Sequence, residues 1–241
     1  MSRFFSAKYK SLMPYVPGEQ PRDRKYLKLN ANESPFPPSP RAVEYASEAS
    51  NVLNLYPDPE CTGLTARIAE LCDVAPEEVL VAGGSGAILN LAFMAFCDRY
   101  HPAAFPEITC GLYRVLAELN GVPFKEIPLE EDFTVRAEEY MALGRTIFIA
   151  NPNDPTGLTM SIPDLEGIVR RTPDNVVVID EAYVDFGATS CLPLIHRYGN
   201  LLVTRTFSKS WSLAGARLGF CVGSADLIED LRRVRDSVNP C

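Results

Sequence analysis

The protein has 241 residues, and its 23 lysines and arginines stand against 31 aspartates and glutamates, so the formal net charge is −8. Apolar residues make up 46% of the chain and charged residues 22%, which is typical of globular proteins and excludes global disorder. The acidic balance argues against nucleic acid or an anionic membrane as a partner, and no apolar run approaches the length of a membrane span. Seven scattered cysteines show no metal-ligand spacing, so we expect no metal site and a reducing, cytoplasmic location.

The first segment, residues 1–45, is expected to be an extended arm that lies on another part of the protein. Nine of the 20 prolines fall within the first 59 residues, and four of them lie between Pro35 and Pro40. Proline fixes φ and has no N–H donor, so the stretch from Pro35 to Pro40 is predicted to be neither helix nor central strand.

Alternating helix and strand patterns follow, and we assign residues 46–224 to one large domain. Helical spacing of apolar residues predicts two amphipathic helices, one containing Leu64 and Ile68 and one containing Ile88 and Leu91. Between the helices lie short runs that are apolar on both faces, as in a parallel sheet covered by helices. These runs are residues 79–81, 146–150, 176–179 and 201–204. The sequence therefore predicts an α/β fold with a mostly parallel sheet.

Each predicted strand ends in a small or polar segment. These segments are residues 83–86, 151–154, 180–183 and 206–209. Ligands of open α/β sheets bind outside the carboxyl ends of the strands, so the four segments are candidates for one shared site.

Residue types in these segments suit particular chemistry. Lys209 follows a buried strand, where burial favours a neutral amine that can form a Schiff base, although a surface lysine is the common alternative. Arg217 could grip a phosphate. Asp180 needs a cationic partner such as a protonated pyridine nitrogen, but a magnesium ligand or a helix cap remains open. The glycine turn at 83–86 suits a phosphate at a helix start, or is an ordinary tight turn.

The segments at 29–35, 55–59, 151–157, 180–183 and 206–219, taken together and in this order, resemble the fold-type I pyridoxal-phosphate aminotransferases, and more narrowly the histidinol-phosphate aminotransferase family. The resemblance implies a three-layer cofactor-binding large domain, a homodimer and pyridoxal 5'-phosphate as cofactor. It also implies amino transfer between histidinol phosphate or imidazole-acetol phosphate and glutamate or 2-oxoglutarate, in histidine biosynthesis.

The resemblance also implies a role for each matching residue. Lys209 matches the lysine that binds the cofactor covalently and carries the proton, Asp180 the partner of the pyridine nitrogen, and Tyr183 the donor to the ring's phenolic oxygen. The remaining matches are Ser85, Gly86, Ser208 and Arg217 around the phosphate, Tyr56 reaching the phosphate of the neighbouring subunit, and Tyr15 and Asn32 beside the substrate.

Two positions depart from the family pattern. Asp154 stands where the family has an asparagine that contacts the phenolic oxygen, and we expect the preceding Asn153 to substitute for it. Cys110 stands where an aromatic ring stacks on the cofactor, and loss of that ring should weaken cofactor binding by roughly 1 kcal/mol.

The end of the chain, residues 225–241, is predicted to be the start of a helix that connects to a small C-terminal domain of the family. That domain is expected to be missing, which leaves the substrate site incomplete and the apolar stripe of the helix without a partner. Two alternatives to the aminotransferase therefore stay open. One is an enzyme similar to threonine-phosphate decarboxylase, and the other is a catalytically inactive fragment that binds the cofactor.

Overall fold

Seven strands form one sheet, with six α-helices around it, in a computed structural model that describes residues 3–9, 12–13, 15, 18–19, 21, 23–24 and 26–235. The strands are β1 (Val79–Ala82), β2 (Ala103–Pro106), β3 (Phe124–Ile127), β4 (Thr146–Ala150), β5 (Val177–Asp180), β6 (Leu201–Thr206) and β7 (Gly219–Gly223). The helices are α1 (Pro40–Ala49), α2 (Thr62–Cys72), α3 (Ser85–Phe96), α4 (Leu112–Asn120), α5 (Ile162–Arg170) and α6 (Ala225–Val234).

The strand order across the sheet is β1-β7-β6-β5-β4-β2-β3. Strand β7 runs antiparallel to both of its neighbours, and all other neighbouring strands are parallel. The predicted α/β fold with a mostly parallel sheet is therefore confirmed. Because β4, β5 and β6 are parallel and adjacent, their carboxyl ends meet at one edge, where the predicted site segments begin.

The central strands alternate between two apolar cores. Ile149, Ile179 and Val203 pack on one face with residues of α2 and α5. Val178 and Leu202 pack on the opposite face with residues of α3, α4 and α6. Successive side chains of a strand point to opposite faces, so the sheet has helices on both sides and forms the middle of three layers.

The boundary that we expected at residue 45 falls inside helix α1, which begins at Pro40. Proline is well accommodated in the first turn of a helix because its missing N–H has no intrahelical partner there. The hydroxyl of Ser39 accepts a hydrogen bond from the backbone N–H of Ala42 at 3.2 Å and caps the helix. The prediction that the stretch ending at Pro40 contains no helix is thus wrong at its last residue.

The apolar stripe of α6 is buried, and the expectation that it lacks a partner is wrong. Ile228 and Leu231 are fully buried and belong to the core that contains residues of α3 and α4. The hydroxyl of Ser224 caps the helix through the backbone N–H of Leu227. Helix α6 therefore completes one outer layer of the sheet.

No helix in the described part of the chain has the length and apolar character needed to cross a membrane.

Glycine at position 219, the first residue of β7, lets this strand pass against the turn that begins α3. A Cβ atom at this position would lie 2.5 Å from the backbone nitrogen of Ser85 and 2.7 Å from the carbonyl carbon of Gly84. Real Cβ atoms do not approach backbone atoms so closely, so any side chain at position 219 would push the strand away from the turn.

Gly219→Ala should therefore lower the free energy of unfolding by about 1–3 kcal/mol, because the overpacked atoms belong to two backbone segments. Gly63→Ala is the matched control, since a Cβ at Gly63 in helix α2 would meet nothing within 4 Å. We expect this control to raise stability by roughly 0.5–1 kcal/mol. Urea unfolding of both variants measures the two effects, and equal stability of the two variants would contradict the packing argument.

Candidate active site

A cavity of about 480 Å³ lies at the carboxyl ends of the central strands. It brings together ten of the predicted site residues: Tyr15, Ser85, Gly86, Cys110, Asp154, Asp180, Tyr183, Ser208, Lys209 and Arg217. Three predicted residues, Asn32, Tyr56 and Asn153, do not line this cavity. Lys209 and Asp180 thus open into the same space.

One end of the cavity is suited to an anion. Helix α3 begins there at Ser85, and the first N–H groups of a helix attract negative charge. The Arg217 Nη2 atom lies only 2.9 Å from where a Cβ of Gly84 would sit. Glycine at this position has φ +96°, so both the turn and the space for the guanidinium depend on it. Ser208 lines the cavity as well.

The Asp180 carboxylate is almost fully buried at the end of β5 and accepts three hydrogen bonds. Its Oδ1 atom accepts from the Thr204 hydroxyl at 3.1 Å and from the backbone N–H of Ala182 at 3.2 Å. Its Oδ2 atom accepts from the Tyr113 hydroxyl at 3.3 Å. All three donors are neutral, although a buried carboxylate is best stabilised by a positive charge.

The pKa of Asp180 is raised from 3.8 to about 6, mainly by burial and to a smaller extent by the negative charge of Asp154. The hydrogen bonds from Thr204, Ala182 and Tyr113 act in the opposite direction and lower it. Desolvation is the largest of these effects, so the site favours a cationic group placed against Asp180.

Lys209 is half-buried and follows β6. Its Nζ atom donates to the carbonyl oxygens of Ala31 at 3.2 Å and Asn32 at 3.4 Å. The same amine lies 5.2 Å from the centre of the Tyr183 ring. The side-chain amide of Asn32 donates to the Tyr183 hydroxyl at 3.0 Å. Asn32 thus contacts two residues that line the cavity, although it does not line the cavity itself.

Asn153 and Asp154 point in different directions. The side-chain oxygen of Asn153 accepts from the Thr109 hydroxyl at 2.7 Å. Its side-chain nitrogen donates to the carbonyl of Ile108 at 3.0 Å and to the Thr156 hydroxyl at 3.1 Å. The buried amide of Asn153 thus joins its own turn to the segment before α4, whereas the neighbouring Asp154 lines the cavity.

Cys110 lines the cavity, as expected for the residue that replaces the stacking aromatic ring of the family. Burial raises the pKa of its thiol to about 12, so the group is a neutral thiol near pH 7. It offers a small apolar surface to the cavity and no stacking face.

Tyr56 lies away from the cavity and exposes 88% of its surface. Tyr15 is about half exposed and lies at the rim.

The residue after Asp180 has a different environment because it points to the other face of the sheet. The Glu181 carboxylate is buried and pairs with the Arg205 guanidinium at 2.9 Å. It also accepts from the Ser190 hydroxyl and from the backbone N–H of Cys191. Glu181 is thereby fully paired, and of these two neighbouring acids Asp180 is the one that faces the cavity.

Sequence reasoning missed the two side chains that contact the Asp180 carboxylate, Thr204 and Tyr113. Thr204 lies directly opposite Asp180 in the β5–β6 pairing, so a correct strand alignment would have found it. Tyr113 is 67 residues away in sequence, and no local pattern connects it to Asp180. Among the described residues, no group of His, Cys, Asp or Glu side chains is arranged to hold a metal ion.

Known proteins of one family are similar to this chain in sequence. The sequence model of the family described as Aminotransferase class I and II matches residues 24–240. A histidinol-phosphate aminotransferase of Marinomonas sp. is 49% identical over 241 residues, covering 99% of this chain and 68% of the relative. One from Aromatoleum aromaticum is also 49% identical, over 244 residues, with the same coverage.

Two solved structures share the fold. The histidinol-phosphate aminotransferase of Sinorhizobium meliloti in complex with pyridoxal-5'-phosphate has a TM-score of 0.80 at 24% identity, covering 86% of this chain and 59% of that chain. The aspartate aminotransferase of Thermotoga maritima has a TM-score of 0.75 at 26% identity, covering 85% of this chain and 60% of that chain.

Asp180→Asn should stabilise the cofactor-free protein above about pH 6. An acid whose folded pKa is raised from 3.8 to about 6 binds its proton more tightly when folded, so its penalty is absent below pH 3.8 and complete above pH 6. A shift of about two units corresponds to roughly 3 kcal/mol, and asparagine removes this penalty. Urea unfolding of both proteins at several pH values measures the difference.

Asp132→Asn is the control for the sign of this effect. The hydroxyl of Thr134 lowers the pKa of the exposed Asp132. Replacement of the Asp132 carboxylate by an amide should therefore lower the free energy of unfolding at neutral pH. A stability difference between wild type and Asp180→Asn that does not change between pH 4 and pH 8 would contradict the raised pKa of Asp180.

Proposed function

We propose, because the chain belongs to the class I and II aminotransferase family, that it exchanges an amino group between histidinol phosphate or imidazole-acetol phosphate and the glutamate/2-oxoglutarate pair, with pyridoxal phosphate as cofactor. The proposal rests on one observation above all, the opening of Lys209 and Asp180 into one cavity whose far end suits a phosphate. The similarity to histidinol-phosphate aminotransferases favours this substrate and a place in histidine biosynthesis.

The residues of the cavity fit this cofactor. A phosphate requires an anion site, which the start of α3, Ser208 and Arg217 offer. A protonated pyridine nitrogen requires an anionic partner, and the three neutral donors of Asp180 leave that carboxylate without a positive charge. An aldehyde requires an amine, and the Nζ atom of Lys209 lies in the same cavity.

Bound pyridoxal phosphate supplies a carbonyl carbon that accepts amino groups and a ring that withdraws electrons. The protein residues position this chemistry and move the proton. Asp180, as an anion, would hold the ring nitrogen in its protonated form. The Lys209 amine would bind the aldehyde carbon of the cofactor and would carry the proton that the amino donor loses from its α-carbon. Tyr183 would donate its hydroxyl proton to the phenolic oxygen, and the side-chain amide of Asn32 donates to the Tyr183 hydroxyl at 3.0 Å.

The position of Asp154 gives this site a distinct charge. We propose that Asp154, rather than Asn153, lies nearest the phenolic oxygen, because the amide of Asn153 is already hydrogen-bonded to Thr109, Ile108 and Thr156. A carboxylate there would favour a proton on the nitrogen through which Lys209 binds the cofactor. We therefore expect the absorbance of the bound cofactor to titrate at a higher pH in the wild type than in Asp154→Asn.

We further propose a cytoplasmic homodimer in which Tyr56 reaches the phosphate bound by the second subunit. Large apolar side chains of the arm and of the region around α1 are exposed, which is unusual for a monomer. They include Leu27, Leu29, Phe36, Val43, Leu53, Leu55 and Tyr56. In the same proposal, residues 1–45 are the arm, 46–224 the cofactor domain, and 225–241 the start of a connecting helix. Parts of the first and last of these segments lie outside the described residues.

Amino transfer is tested first in half-reactions. The protein loaded with pyridoxal phosphate should convert glutamate into 2-oxoglutarate and should then accept imidazole-acetol phosphate, in single turnovers followed by product analysis. Lys209→Ala should lose the proton carrier and slow the step by about 10²-fold or more. Release of carbon dioxide from threonine phosphate would indicate the decarboxylase instead, and cofactor binding without any turnover would indicate an inert binder.

Covalent attachment of the cofactor is tested separately. Borohydride reduction of the loaded protein should fix the cofactor to the peptide that contains Lys209, detected by mass spectrometry. Lys125→Ala is the matched control because Lys125 is an exposed lysine on β3, remote from the lining of the cavity. Attachment in Lys209→Ala equal to that in this control would contradict the role of Lys209.

Sharing of the site between subunits is tested by mixing two defective variants. Tyr56→Phe should weaken cofactor binding, because a hydrogen bond to a charged group contributes about 1.5–3 kcal/mol, and Lys209→Ala should abolish covalent attachment. A hybrid dimer then contains one complete site, formed by Lys209 of one subunit and Tyr56 of the other. Reassembled mixtures should regain tight covalent binding, and a mixture no better than Tyr56→Phe alone would contradict the shared site.

A further inference from the structure

We propose that Tyr113 and Thr204 are positioning residues for the cofactor, which hold the Asp180 carboxylate in one orientation and keep it anionic for the pyridine nitrogen. This inference rests on the proposed function. It is drawn from the contacts of the two hydroxyls, which touch Asp180 from two different elements.

Tyr113 is fixed from several sides. It is fully buried in helix α4, and its ring packs edge-on against Phe105 at 5.9 Å and tilted against Phe148 at 5.9 Å between ring centres. In the described part of the chain its hydroxyl has one hydrogen-bond partner, Asp180. Burial raises the pKa of Tyr113 well above 10, so the hydroxyl stays protonated and can only donate to the carboxylate.

Thr204 fixes the other oxygen. It is fully buried and lies opposite Asp180 in the parallel pairing of β5 and β6. Because one hydroxyl contacts Oδ1 and the other contacts Oδ2, rotation of the carboxylate would break one hydrogen bond or the other. The carboxylate plane is thereby set by a helix on one side and a strand on the other.

The same two contacts favour the charged form of Asp180. Burial pushes the carboxyl towards its neutral form, and a neutral carboxyl cannot hold a proton on a pyridine nitrogen by charge. Each hydroxyl stabilises the anion and lowers the pKa of Asp180. Other titratable or charged groups facing this site are Asp154, Cys110, Lys209, Arg217, Tyr183, Glu33 and Tyr15. These groups remain in place in variants of Tyr113 and Thr204.

Binding of pyridoxamine phosphate across a pH series tests the inference. This form of the cofactor has an amine in place of the aldehyde, so its binding is independent of Schiff-base formation with Lys209. Its affinity for the wild type should fall as the pH drops through the range where Asp180 takes up its proton. In Tyr113→Phe this fall should begin about one pH unit higher, because one hydrogen bond to the anion is lost. Below both midpoints the variant should bind roughly tenfold more weakly.

Tyr140→Phe is the matched control. Tyr140 is also fully buried, but its hydroxyl has no hydrogen-bond partner among the described residues, and it packs in the core on the other face of the sheet. Its pH dependence should equal that of the wild type, although the same atom is removed.

Thr204→Val and Thr204→Ser keep the test decisive if Tyr113→Phe does not fold. Valine removes the hydroxyl at nearly constant volume and should move the midpoint of the binding curve to higher pH. Serine keeps the hydroxyl and should leave the midpoint at its wild-type value. Unchanged midpoints in the variants that lack a hydroxyl would overturn this inference while leaving the cofactor assignment intact. Absence of pyridoxamine phosphate binding in the wild type at every pH would overturn the cofactor assignment, and the inference with it.

Discussion

A buried carboxylate without a cationic partner is the constraint on which this site depends. Asp180 lies at the last position of β5, where burial is the main cause of a pKa raised to about 6 and where, among the described residues, only neutral groups donate to it. Such a group lowers the stability of the empty protein, and it becomes favourable when a positive charge is placed beside it. The cavity thus favours a ligand that places a positively charged group against this carboxylate.

The sheet keeps this carboxylate separate from the charged residue next to it. Side chains alternate along β5, so Glu181 points to the face opposite to that of Asp180 and is neutralised by Arg205, a residue of the neighbouring strand. The two acids therefore have opposite roles. One is satisfied inside the fold and joins β5 to β6, and the other stays available to a ligand.

The anion end and the amine reach this carboxylate through backbone placement. Gly84 and Gly219 allow β7, the α3 turn and Arg217 to approach one another closely, so the region that suits a phosphate lies at a fixed distance along the sheet edge from Asp180. Lys209 follows the end of β6, and its Nζ atom donates hydrogen bonds to the carbonyl oxygens of Ala31 and Asn32. Parallel strands with shared carboxyl ends bring these pieces together from distant parts of the sequence.

The sequence by itself determined the α/β class, the segments that form the cavity and the family. Runs that are apolar on both faces can be buried only between two layers, and small or polar strand ends mark where the sheet opens to a ligand. Local patterns could not decide whether Asn153 or Asp154 faces the cavity, because the fold sets the direction in which each residue of this turn points. They also could not reveal Tyr113, the burial of the α6 stripe, or the division of roles between Asp180 and Glu181. Those features depend on contacts between residues far apart in the chain, and such contacts are decided only when the helices pack onto the two faces of the sheet.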